Sequence, residues 1–517
     1  MNRLRMAVLA TAVGSPLLLN AGIAAAQDSA SNAELLQLLK QQAELIKKLE
    51  QRLATLEGQQ PASPTAATTA TATADETIGD AQSQQAAGPA PDNATGNATD
   101  KSMQVRAAIA DTQQGLLEAQ LAQLSALGNA GGGNGGGGSG NLRWRGAPVF
   151  RSADGYFTFK PRGRLSLDWS GTDGSRFDAR NIYGTEATDL RLGAEGTIGK
   201  LGYKLDVTFA DNAAGVREAY LSYDTTLFGL PTEYYLGNRL RDRSIEGSGM
   251  LAREPFMERN AVAAVGAAYN GYFGLGGYVR TFGNNWHLGA SITGDGVDNE
   301  GTASDSITYS IRGHVNPIKA RQGFVHLGSW YYYETLGDDV ATINNAPRIG
   351  QSFNDNLRVS SGAIADPTRD EAWGYEVGGV FRNFWSFGEY TKRRIDSDSI
   401  DVVERTATSI SAGWLITGEK PGFSKRSGIW GSTRVLSPVT SGGWGAWEIA
   451  VRFDRYDFRD APNGGDGRSD TVGLNWYIND WSRLMFNYVN WTTDNRVGSY
   501  RGFDAGNSFG FRAQVVF

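Results

Sequence analysis

No cysteine occurs anywhere in the 517 residues. That excludes disulfide staples and thiolate metal sites, so the chain holds together without covalent cross-links. Beyond residue 26 no run of ~18 apolar residues appears, which excludes a membrane-spanning helix. Histidine is scarce, with three copies (His287, His314 and His326). Three isolated imidazoles leave little material for a nucleophile–base pair, so no enzyme is expected and strand histidines are read as lining. Basic blocks are missing too. The formal net charge is −6, and a mildly acidic chain without a cationic run is a poor partner for nucleic acid. No glycine motif of the phosphate-cradling kind stands between a strand and a helix, so no cofactor is expected.

Glycine and aromatic residues are abundant instead: 67 Gly, 13 Trp, 20 Tyr and 22 Phe. In a long chain that combination predicts many strands and turns. The N-terminus reads as an export signal over 1–26. Two arginines (Arg3 and Arg5) precede the apolar run "MAVLATAVGSPLLLNAGIA", and "AAAQ" offers small residues for cleavage.

Residues 27–60 carry a heptad seam. Leu39, Ile46 and Leu53 occupy a positions, and Leu35, Gln42, Leu49 and Leu56 occupy d. This predicts an oligomerising coiled coil, in which Gln42 would fix register; a lone amphipathic helix on another surface is the alternative. Residues 61–100 are Ala, Thr, Pro, Gln and Asp with few large apolar groups, the composition of a disordered linker. A helical segment is expected over 101–129 and a glycine-rich linker over 130–141.

From 142 to 517 the pattern is period two. Lys160, Arg162, Arg164, Ser166 and Asp168 alternate with Pro161, Gly163, Leu165, Leu167 and Trp169. Lys204, Asp206 and Thr208 alternate with Tyr203, Leu205, Val207 and Phe209. The last ten residues, "SFGFRAQVVF", place Phe509, Phe511, Ala513, Val515 and Phe517 on one face and Arg512 and Gln514 on the other. A soluble sandwich also alternates. Here the polar face carries charges of both signs in strand after strand, which fits a water-filled lumen, with the apolar face on lipid. Lipid tolerates no open sheet edge, so the strands must close into a cylinder.

Sixteen strands can be counted, beginning near Tyr156, Asp189, Tyr203, Gly215, Thr232, Tyr272, Asn285, Ile307, Phe324, Trp373, Trp385, Thr406, Trp444, Thr471, Arg483 and Ser508. The fold class is thus an all-β, 16-stranded antiparallel transmembrane barrel, the last strand pairing with the first. With a periplasmic N-terminal segment, short turns follow even strands and long loops follow odd ones, notably at 240–270 and 337–372. The segment 417–443 breaks the parity: it is long yet lies at the periplasmic end, and folding into the lumen would accommodate it.

The run "LRLGAEGTIGKLGYKLDVTFADNAAGVREAYLSYD", then "REPFMERN" and "FGNNWHLGASITGDG", resembles the phosphate-selective porin O and P family of outer-membrane channels. "LITGEKPGF", "GGWGAWEIAVRFDRYDF", "LNWYINDWSRLMFNYVNW" and "FRAQVVF" resemble its C-terminal half. The resemblance covers roughly residues 150–517. It implies a homotrimeric porin in outer-membrane lipid, with an inward loop after the fifth strand, a stair of arginines and a lysine cluster for the anion. Members with an N-terminal coiled coil also occur.

The matching loop supplies Arg239, Arg241, Arg243, Arg253 and Arg259 together with Asp242, Glu246, Glu254 and Glu258, and no lysine; 337–372 also has none. Inward strand positions add Lys160, Arg162, Arg164, Arg191, Lys204, Arg312, Arg452 and Arg512 as candidates for a basic wall. The competing reading is a charge-paired lining opposite Asp168, Asp189, Glu195, Asp206, Glu448 and Asp454. The functional expectation is a diffusion channel for small anionic or neutral solutes, with phosphate or other anions preferred. The alternative is a general or sugar-permeable porin whose coiled coil tethers the membrane to a periplasmic or cell-wall partner.

Overall fold

A computed structural model describes residues 143–144, 146–299 and 301–517. The expected signal peptide, coiled coil, linkers and second helical segment lie outside the described residues.

Sixteen strands form the wall. They are β1 Phe157–Asp173, β2 Tyr183–Ile198, β3 Leu201–Thr208, β4 Gly215–Leu227, β5 Leu230–Leu240, β6 Phe273–Phe282, β7 Trp286–Thr293 and β8 Ile307–Val315. Then come β9 Gly323–Thr335, β10 Pro367–Phe381, β11 Phe384–Ser397, β12 Val403–Leu415, β13 Ala446–Asp457, β14 Asp466–Tyr477, β15 Ser482–Asn495 and β16 Gly502–Val516. Each pairs antiparallel with its neighbours in sequence, and β16 pairs antiparallel with β1, so the cylinder closes.

Burial is reversed relative to a soluble domain. On β1, Leu167 and Trp169 are 49% and 51% exposed, while Arg164, Ser166 and Asp168 are buried. The alternation therefore puts apolar side chains outward, where only lipid suits a surface this extensive. Aromatic pairs such as Trp447–Trp476 and Phe384–Trp414, stacked at 5.2 and 5.4 Å, lie at the β13–β14 and β11–β12 ends that share the short turns. That is where a belt at the membrane interface is expected.

The seam is closed by charge as well as by ladder. Arg512 on β16 faces Asp168 on β1 and donates from Nε and Nη2 to its two carboxylate oxygens at 2.7 and 2.6 Å. Phe517 exchanges two backbone hydrogen bonds with Gly163, at 3.0 and 3.1 Å. Its ring lies over that residue: a Cβ at 163 would meet Phe517 Cζ at 2.2 Å, so any larger residue there displaces the terminal ring. Below this point β1 has no β16 partner. The short strand Pro148–Arg151 pairs with it instead and covers the edge.

Even strands lead into short turns, as parity requires. Examples are Phe228–Gly229 between β4 and β5 and Arg382–Asn383 between β10 and β11. The connection from β12 to β13 is the exception. It carries its own small hairpin, Phe423–Ser424 paired with Ile429–Trp430, and that hairpin packs inside the barrel against β9 and β11.

Candidate functional site

Two segments cross the lumen from opposite ends. The first runs from β5 to β6, residues 241–272. Two short helices stiffen it. Ser244 caps Ile245–Ser248 by accepting from the Gly247 amide at 2.9 Å, and Asn260 caps Ala261–Val265 by accepting from the Ala263 amide at 2.8 Å. Both caps satisfy helix-end amides that a watery pore would not hold in place.

The loop is pinned to the far wall. Glu389 on β11 accepts from the Ile245 amide and from Asn260 Nδ2 at 2.8 and 2.6 Å. Asp454 on β13 accepts from the Ala261 amide at 3.2 Å, and Asn475 on β14 donates to the Pro255 carbonyl at 2.8 Å. Asn487 on β15 accepts from the Met257 amide at 2.8 Å, while Arg512 on β16 donates to the Met257 carbonyl at 2.9 Å. A loop rooted between β5 and β6 and tied to β11–β16 spans the cross-section. That is a constriction.

The second segment, the hairpin at 423–430, reaches the other way. Arg312 on β8 donates to the Ser427 and Gly428 carbonyls at 3.1 and 2.7 Å. Arg426 reaches Glu233 on β5 at 2.9 Å and lies over the Phe282 ring of β6. Phe423 and Trp430 sit in an aromatic socket with Phe324, Trp385 and Phe387. The same cluster holds Ile245 and Phe256 of the first segment, so the two meet. The loop at 336–366 also leans inward: the Ser352 amide donates to Glu258 at 3.1 Å, and Ile349, Leu357 and Val359 are buried beside Val489 and Trp491.

The basic candidates divide into groups. Most strand cations face acids. Lys160 lies 3.9 Å from Glu195; Arg162 reaches Glu195 and Asp206; Arg164 reaches Asp189 and Asp206 at 3.4 and 3.2 Å; Arg191 pairs with Asp189. Lys204 bonds Glu218 and approaches Asp206 at 3.6 Å. Arg312 makes a fork with Glu376 at 2.8 and 2.8 Å, and Arg452 pairs with Asp454 and Glu246 at 2.8 and 3.5 Å. Of the six acids set opposite them, Glu448 is the one with no basic partner among the described residues: it accepts from Trp385, Asn475 and Tyr477. The lining is thus largely charge-paired.

On the inward loop the pattern differs. Arg239 lies against Asp242 at 3.7 Å and over the Tyr235 ring at 4.5 Å, and Arg259 pairs with Glu254 at 2.9 Å. Arg241 is buried without an ion pair among the described residues and donates to Thr293, Gly271 and Gly294. Arg243 lies 4.5 Å over Tyr272 with Nε and Nη2 unbonded, and burial lowers it to about 10. The Arg253 guanidinium has no hydrogen-bond or ion-pair partner among the described residues. Burial, with Arg483, Arg162 and Arg164 nearby, lowers it to about 10, so it stays charged at neutral pH.

Two cavities flank the loop. One is lined by Arg253, Arg483, Asp480, Thr433, Asn479 and Gln514, and the other by Arg259, Arg348, Arg452, Glu258 and Gln351. Arg483, Arg348 and Gln351 were not singled out by sequence reasoning. Arg483 is the second residue of β15 beside an ordinary turn, and the other two sit in a loop whose inward lean has no linear signature.

Comparison with known proteins agrees with this architecture. The family described as phosphate-selective porin O and P matches residues 159–517. Porin O of Pseudomonas aeruginosa is 25% identical over 413 residues, covering 73% of this chain and 92% of its own. An uncharacterized protein of Caulobacter vibrioides is 27% identical over 370 residues, 67% of this chain and 71% of its own. Among solved structures, an anion-selective porin from Comamonas acidovorans is similar over 70% of this chain and 100% of its own, at 14% identity and a TM-score of 0.43. With a closed barrel, a lumen crossed by an arginine-bearing loop, and a match over most of its length, the chain belongs to the phosphate-selective porin O and P family and is an outer-membrane porin.

Proposed function

We propose that this porin conducts small anions in preference to cations, phosphate and carboxylates among them, as a homotrimer. The observation that carries the reading is the charge balance of the inward loop. Five arginines stand against four acids between residues 239 and 259, and Arg253 is the guanidinium left without a partner among the described residues. A fixed, unpaired guanidinium in a narrow aqueous path attracts anions, repels cations and presents planar donors to phosphate or carboxylate oxygens. Arg483 beside it, and Arg259, Arg348 and Arg452 across the loop, offer further weak sites through which a solute can step. The description of the family and the name of the Comamonas protein point the same way. The basic wall of the strands (Lys160, Arg162, Arg164, Arg191, Lys204, Arg239, Arg312, Arg452 and Arg512) serves this reading as a neutralised lining that keeps the lumen polar without trapping the solute. Arg241 and Arg243 brace the loop. Chloride current through single channels tests it: millimolar phosphate should depress the current, and Arg253→Ala should weaken that block. Equal block in both proteins would refute the role of Arg253.

A second role rests on the heptads at Leu35, Leu39, Leu49 and Leu53. In this reading 1–26 is a cleaved signal, 27–60 oligomerises in the periplasm and contacts a cell-wall partner, and 61–100 and 130–141 are flexible linkers on either side of a helical segment at 101–129. Deleting 27–130 should release the barrel from cell-wall material; unchanged attachment would refute it.

A further inference from the structure

All three histidines of the chain lie together on the inner wall. His287 on β7 and His314 on β8 are direct partners in the ladder, with ring centroids 5.3 Å apart. His326 on β9 continues the row, 4.8 Å from His314. All three are buried, and none of their Nδ1 atoms has a hydrogen-bond partner.

The hairpin rests on this row. A Cβ at Gly428 would meet His314 Nδ1 at 2.8 Å and His326 Cε1 at 3.0 Å, and the residue sits at φ +63, so glycine is needed on both counts. The bonding fixes the neutral tautomers. His314 Nε2 donates to the Lys425 carbonyl at 3.2 Å, and His326 Nε2 donates to Glu376 at 2.9 Å, which leaves both Nδ1 atoms bare. His287 Nε2 accepts from Arg280 at 3.3 Å.

The charged groups around the row are Arg280 from β6, Arg312 from β8, Glu376 from β10, Asp242 from the inward loop, and Arg426 from the hairpin. Glu389 on β11 lies beyond Glu376. The acids are already committed: Glu376 holds Arg312, and Asp242 faces Arg239 and Arg280. A proton on His326 competes with Arg312 for Glu376. A proton on His314 has no acid of its own and meets the Arg312 charge. Arg312 is the group that grips the Ser427 and Gly428 carbonyls, so both protons loosen the same hold.

We propose that the histidine row is a proton-operated latch. Neutral, it seats the hairpin at 423–430 in the lumen; protonated, it releases the hairpin and widens the short-turn end of the pore. This is a gate on the path and does not depend on which ion the path prefers.

The absence of cysteine makes the test direct. Ser427→Cys places one thiol on the hairpin of the full chain, and Thr226→Cys, exposed at the end of β4 next to the β4–β5 turn, is the reference for reagent chemistry. Labelling by a small maleimide is measured in purified protein near neutrality and near pH 5. The normalised rate at 427 should rise about ten-fold on acidification, the effect of one pH unit of differential proton binding. With His314→Gln and His326→Gln it should stay slow at both pH values. A rate that is flat with pH in the chain carrying all three histidines overturns the proposal. An equal rise in the glutamine variant also overturns it, by moving the titration to a carboxylate. The first comparison needs no histidine change, so it decides even if the variant fails to fold.

Discussion

The two segments that cross the lumen are held by opposite means. The loop at 241–272 is a small fold in itself, with two capped helical turns and Ala261, Val262 and Val265 buried in a cluster with Trp330 and Tyr332. Side chains from β11, β13, β14, β15 and β16 bind its backbone. The hairpin at 423–430 has a two-residue ladder and no helix. It depends on Arg312, His314, Asn316 and the aromatic socket. One segment is rigid by construction, the other by what it is seated on. On the two proposals made above, selectivity belongs to the first and control of width to the second.

Breaking the seat should have the largest effect. Arg312→Ala leaves Glu376 buried with His326 alone and removes two grips on the hairpin. Loss of one partner of a buried ion pair costs about 3–5 kcal/mol. Thermal unfolding followed by circular dichroism should show a clear drop, together with higher single-channel conductance. Trp430→Ala sharpens the contrast. Truncating a buried tryptophan costs about 3–5 kcal/mol where the site cannot collapse, but the hairpin is not part of the barrel ladder. Conductance should rise while barrel unfolding stays near the parent value; a matching fall in unfolding temperature would show that the hairpin braces the wall.

Next comes the loop. Arg253→Ala removes a charge with no ion-pair partner among the described residues, so stability should hold. The anion-to-cation permeability ratio should fall about five-fold, the equivalent of roughly 1 kcal/mol of screened Coulomb attraction. The smallest effect is that of pH on the loop. Burial raises Glu246, Glu254 and Glu258, against nearby arginines, and Arg253 remains charged. As pH falls through the range where these raised carboxylates take up protons, the loop loses negative charge and keeps its positive charge. Anion preference should therefore increase modestly on acidification, read from reversal potentials; a decrease would contradict the assignment.

The barrel was legible because the period-two pattern is written on every strand that meets lipid. Its limits show where lipid ends. Alternation places the starts of β2, β10 and β16 near Asp189, Trp373 and Ser508, whereas they begin at Tyr183, Pro367 and Gly502. Each extends past the apolar band at the end away from the short turns, where residues such as Thr185–Glu186 and Arg369–Asp370 are polar on both faces. The ladder continues there without an apolar face to announce it. The inward hairpin was legible as a breach of loop parity. The histidine row was not: His287, His314 and His326 have no telling spacing and meet only through register across three strands. Pairing of the lining cations was visible as two open readings, and only side-chain distances separate Arg512, forked onto Asp168, from Arg253, which makes no ion pair among the described residues.

The most direct test of the account is the reversal potential of the reconstituted full chain across a planar bilayer with a potassium chloride gradient. The account predicts a potential of the sign set by chloride, reduced toward zero by Arg253→Ala. A potential of the sign set by potassium would contradict it.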